Sequence, residues 1–78
     1  MRLMNAAQIR MARAGLRFSV RDLAEMAGVS PNTVTRIEAG LHVNSSTRAV
    51  IRSALESAGV EFIAESGAGP GVRLRKRI

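Results

Sequence analysis

The 78 residues carry little that could make or break a covalent bond. There is no cysteine, and the one histidine, His42, has no second histidine beside it to share a metal. No carboxylates stand paired at a useful spacing and no phosphate-cradling glycine loop is present. Catalytic residues, a metal and a cofactor are therefore not expected, and the protein is not expected to be an enzyme. What the sequence offers instead is a group of hydrogen-bonding side chains, Ser30, Asn32, Thr33 and Arg36, close together in the chain. Asparagine can bond an adenine edge through two hydrogen bonds, arginine a guanine edge, and a threonine methyl can pack on a thymine methyl. Outside a motif, the same residues serve equally as first-turn helix formers and a solvated charge.

The elements that would carry them are readable from Ser19 to Gly40. Ser19 can cap a helix, with Asp22 three residues on as its capping-box partner. Leu23, Ala24 and Ala27 give that helix a small apolar face. Gly28 permits a turn at positive φ, and Val29 points back into the corner. Ser30 caps a second helix that has Pro31 at its first position and runs to about Ala39. Val34 and Ile37 form its buried stripe, which leaves Asn32, Thr33, Thr35 and Arg36 on the outer faces. Gly40 ends it. Two short helices across a sharp turn have the form of a helix-turn-helix, whose second helix can enter the DNA major groove.

Leu23-Ala24, Gly28-Val29-Ser30, Thr33-Val34 and Arg36-Ile37-Glu38-x-Gly40 resemble the lambda-repressor-like, or XRE-type, helix-turn-helix family. The resemblance extends back to Arg13 and forward to roughly Gly59. It implies a mainly α domain of four to five helices that binds double-stranded DNA. It also implies that Ser30, Asn32, Thr33 and Arg36 meet base edges, while Thr35 and the following loop and helix start (Asn44, Ser46, Thr47 and Arg48) meet the phosphate backbone. In this family the first turn of the second helix commonly carries a glutamine that touches a phosphate. Here Val20 stands in that place, which shifts the expected contact to Arg21 or Arg17.

Ahead of this motif, Asn5 and Gln8 make a capping box for a first helix that Gly15 closes, and Ala6, Ile9, Arg13 and Leu16 share one face. A charge on a buried face needs a partner. Glu38 is the candidate, and the family resemblance implies the same Arg13–Glu38 ion pair. Phe18, directly before the Ser19 cap, is expected to pack in the core or to staple onto Leu23. His42 reads as a surface loop residue. Asn44 or Ser45 can cap a fourth helix with Ile51, Ala54, Leu55 and Ala58 inward and Arg48 and Arg52 outward.

After Gly59 the period changes. Val60 to Glu65 and Val72 to Ile78 alternate across a Gly/Pro loop, which reads as a two-stranded β-hairpin. The chain thus divides into residues 1–59, the helical domain, and 60–78, an arm of the same compact unit. The second strand puts Val72, Leu74 and Ile78 on one face and Arg73, Arg75 and Arg77 on the other. An isolated hairpin is marginal in water, so its apolar face must pack on the helices, on a second copy, or both. Val60, Phe62, Val72, Leu74 and Ile78 are the expected arm contacts of a homodimer. The basic side, with Arg73, Arg75, Lys76 and Arg77, suits DNA backbone contact, protection of the sheet edge, or contact with another protein.

Twelve basic residues against six acidic ones give a net charge of +6. That favours a polyanionic partner, nucleic acid before an anionic membrane. No apolar run approaches the roughly 18 residues of a spanning helix, and Met1-Arg2-Leu3-Met4 lacks the apolar stretch of a signal peptide. The expectation is a soluble, cytoplasmic, nucleoid-associated bacterial protein. Its expected role is a dimeric repressor of a short operon, on a palindromic operator. The competing expectation is an antitoxin or anti-activator that grips a protein partner through the basic arm.

Overall fold

The computed structural model describes residues 4–64 and 67–75. Four helices, α1 (Ala6–Gly15), α2 (Val20–Ala27), α3 (Pro31–Glu38) and α4 (Ser45–Ser57), precede two strands, β1 (Val60–Ile63) and β2 (Gly71–Leu74). Each helix starts on a side-chain cap: Asn5, Ser19, Ser30 and Asn44 accept from Gln8, Asp22, Thr33 and Thr47 backbone N–H groups. A cap of this kind contributes about 1 kcal/mol. For helices as short as α2 and α3, eight residues each, these caps matter, because isolated helices of that length do not persist in water.

Ile9, Leu23, Val34, Ile37, Ile51, Leu55 and Val60 are sealed from solvent and form the core, which all four helices and the hairpin share. Gly28 turns the chain between α2 and α3 at φ 72°, where a side chain would be strained. Met4, at the edge of the first helix, is also buried. Phe18 is not among the side chains packed on this core, a correction to its expected place. It is half-buried and contributes its carbonyl to Arg13 instead.

The strands pair antiparallel in the register Val60–Leu74, Glu61–Arg73, Phe62–Val72 and Ile63–Gly71. They are shorter than the alternation suggests, and β2 starts at Gly71. The expectations for Glu65, Lys76, Arg77 and Ile78 fall outside the described residues. The hairpin's apolar side lies on the chain's own helices: Val60 is fully buried, Phe62 and Val72 pack against the core, and Leu74 stays 46% exposed. Its other side carries a Glu61–Arg73 ion pair at 3.1 Å.

Gln8 fastens the hairpin to α1. Its Oε1 accepts from the Asn5 N–H at 2.9 Å, while Nε2 donates to the Ile63 and Gly71 carbonyls at 3.0 and 2.9 Å. The capping box read from the sequence is present, but it is half of what this side chain does. Arg52 is a second unforeseen link: its guanidinium lies 4.9 Å from the Phe62 ring centre and pairs with Glu56 at 3.0 Å.

Candidate nucleic-acid interface

Helix α3 turns Val34 and Ile37 into the core and leaves its opposite side bare. Asn32, Thr35 and Arg36 are exposed, as is the cap residue Ser30, and Thr33 is half-exposed. Ser30 and Thr33 are engaged with each other, hydroxyl to hydroxyl at 2.9 Å and through the Thr33 N–H at 3.2 Å. Asn32 and Thr35 have no side-chain partner among the described residues. Arg36 donates one Nη2 hydrogen bond to the His42 carbonyl at 2.9 Å. That bond orients the guanidinium along the end of α3, and its remaining N–H donors stay free.

The loop after α3 is organised around Asn44. Its Oδ1 accepts from the Thr47 N–H at 2.8 Å and from the Ser46 hydroxyl at 2.9 Å. Thr47 is half-buried in that turn, and Arg48 folds back to the Met4 carbonyl. Asn44 and Ser46 thus remain exposed at the start of α4, while Arg48 has one donor committed to the N-terminal segment.

Of the arginines in the described residues, only Arg17 and Arg21 lack a protein partner. Both are exposed, on either side of the Ser19 cap. Arg17 is also the one residue other than glycine at positive φ, 61°, among those described. It occupies the position after the end of α1 where the Phe18 N–H reaches the Arg13 carbonyl and the Arg17 N–H reaches the Ala14 carbonyl. Glycine suits that position best. Arg17→Gly is expected to raise stability by about 0.5–1 kcal/mol. In thermal melts, a loss of stability would instead show that the arginine side chain supports this corner.

An ion pair beneath the C-terminal end of α3 ties it to α1. Arg13 Nε lies 2.7 Å from Glu38 Oε2, and Nη2 donates to Oε1 at 3.0 Å. A third donor, Nη1, reaches the Phe18 carbonyl at 3.1 Å. The Glu38 side chain is nearly buried and that of Arg13 about a quarter exposed. The hydrogen bond to Glu38 holds the Arg13 guanidinium above its ordinary value against the desolvation that opposes it. Arg10, unforeseen in this role, donates to the Glu38 carbonyl. Three residues before Arg13 on one helix face, it stands where a second donor to the same residue would be sought. Two arginines of α1 therefore grip the last turn of α3.

Among the described residues no group of acidic, histidine or cysteine side chains could hold a metal ion. No described helix is long and apolar enough to cross a membrane. Residues 6–61 match a family model described as a helix-turn-helix domain. That stretch runs from the start of α1 into β1 and includes all of α3. No curated protein matches the sequence.

Proposed function

The chain belongs to the helix-turn-helix domain family, and on that premise we propose that it is a sequence-specific transcriptional regulator that reads double-stranded DNA with α3. The observation that carries this reading is the bare polar side of α3, with Asn32 and Arg36 exposed over a buried Val34 and Ile37. Docking begins with the net charge of +6, which draws the protein to phosphates and makes affinity fall as salt rises. Arg17, Arg21, Thr35, Asn44, Ser46, Thr47 and Arg48 are the proposed backbone contacts, and Ser30, Asn32, Thr33 and Arg36 the proposed base contacts. Phosphate contacts fix the register, and base contacts supply the selectivity.

An eight-residue helix can touch only a few base pairs. A homodimer on a palindromic or pseudo-palindromic operator doubles that, with half-sites about one helical turn apart. The proposed role is repression by occupancy of a short operon, such as the one that encodes the protein, in a bacterial cytoplasm.

The test is in vitro selection of bound duplexes with the full chain, followed by titration of the selected site at several salt concentrations. Asn32→Ala and Arg36→Ala should each cost about 1–3 kcal/mol and relax preference at one or two base pairs. Uniform weakening on every sequence would make them phosphate contacts. If the wild-type protein prefers no duplex over random competitor, the reading fails altogether.

A further inference from the structure

We propose that the outer edge of β2 is a docking strip for an extended segment of another protein in which acidic and apolar residues alternate. The phase of the ladder is set by the Arg75 N–H, which donates to the Gly59 carbonyl at 2.7 Å. In the observed register, Glu61–Arg73 and Ile63–Gly71 are then the hydrogen-bonded pairs. Val72 and Leu74 therefore turn their N–H and C=O groups away from the hairpin. No described group bonds them. Along β1 the equivalent edge begins at a fully buried Val60, whereas Arg73 and Leu74 of β2 are exposed. An open, exposed strand edge is a template for a further strand.

The side chains around this edge specify what that strand would carry. Leu74 lies over Gly15, where a Cβ would stand 3.5 Å from Leu74 Cδ1. Met11, 42% exposed, lies one turn earlier on the same face of α1. This side takes apolar side chains. On the opposite side, Arg73 is 65% exposed beside its single carboxylate partner Glu61, and Arg75 is exposed with one donor on the Glu56 carbonyl. This side takes carboxylates.

Two other occupants fit less well. Pairing β2 with β2 of a second copy brings no carboxylate to Arg73 or Arg75, and in the register that sets Val72 opposite Leu74 it places Arg73 against its own counterpart, a like-charge pair that destabilises a sheet. Pairing β2 with the β1 edge of a second copy is a head-to-tail contact that builds rings or fibres rather than a closed pair. Nucleic acid would satisfy the guanidinium groups, but a phosphate only accepts hydrogen bonds and leaves the outward Val72 and Leu74 carbonyls unpaired.

The test uses the full chain and three probes: an acetylated peptide alternating Asp and Val, its Lys–Val counterpart, and a random duplex. Amide exchange is followed by NMR. The acidic peptide should bind with Kd below about 1 mM and slow exchange at Val72 and Leu74 about tenfold, with Glu61 and Arg73 little changed. The Lys–Val peptide should leave all four unchanged. In the double variant R73E/R75E, shown folded by its melting curve, binding of the acidic peptide should weaken about tenfold or more. No binding of the acidic peptide, equal binding of both peptides, protection away from β2, or protection of the edge by the duplex alone would each overturn the proposal.

Discussion

Replacing Gln8 by alanine is expected to destabilise the protein by about 2–4 kcal/mol, more than most single substitutions in a small domain. The side chain is 1% exposed and makes three hydrogen bonds: one to the chain just ahead of α1 and one to each strand of the hairpin. Each bond is worth about 1 kcal/mol net, and the emptied volume adds a cavity cost. A thermal melt should show the loss as a fall of roughly 4–8 °C per kcal/mol for a chain of this size. Gln8→Met separates the two contributions, because it fills the space without the bonds and should recover about half of the loss. Gln8→Glu keeps nearly the same shape and can still accept from Asn5, yet its second oxygen would face the Ile63 and Gly71 carbonyls. At neutral pH it should destabilise at least as much as alanine. A Gln8→Ala variant that melts within about 1 kcal/mol of wild type would mean that water replaces these bonds and that the hairpin is held by the packing of Val60, Phe62 and Val72 on the core.

That role of Gln8 also marks where sequence reading stops. The spacing Asn5-x-x-Gln8 is a local signal, and local physics makes the box; nothing local says that the same amide meets carbonyls at Ile63 and Gly71. The helix-turn-helix was legible because each of its features is local: Ser19 and Ser30 as caps, Gly28 at positive φ, Val34 and Ile37 at helical spacing. Arg13 and Glu38 could be named together because a charge on an apolar face demands an opposite charge, and the family resemblance pointed to Glu38 as the one that supplies it. The hairpin was legible as alternation, but alternation cannot tell which surface covers the apolar side, and Val60, Phe62 and Val72 turned out to lie on their own helices. Arg17 was invisible as a strained residue, since no pattern announces an arginine at a glycine position. For the interface, exposure of Asn32, Thr35 and Arg36 followed from the helical period. The bond between Arg36 and His42 did not, because the loop after Gly40 carries no periodic signal.

Breaking the Arg13–Glu38 pair should cost nearly as much as losing Gln8, and a double-mutant cycle should show strong coupling. Arg13→Met leaves the Glu38 carboxylate, at 9% exposure, without its two guanidinium donors, and the Phe18 carbonyl without one. Stranding one partner of a fully buried pair costs about 3–5 kcal/mol. Because about a quarter of the Arg13 side chain is exposed, water screens part of this and about 2–3 kcal/mol is expected. Glu38→Gln retains an acceptor and should cost about 1–2 kcal/mol, whereas Glu38→Leu strands the cation and should cost more. The combination Arg13→Met with Glu38→Leu removes both charges and refills the space with apolar atoms, so its loss should fall short of the sum of the two singles by about 1–2 kcal/mol. Additive losses in urea titrations would show that the two groups are solvated independently despite their 2.7 Å approach. The pair also links α1 to the last turn of α3, so the single variants should bind a selected duplex less tightly even at temperatures where they are fully folded. If the singles lose stability but keep full affinity, the pose of α3 is set by Val34 and Ile37 in the core, and the ion pair serves folding alone.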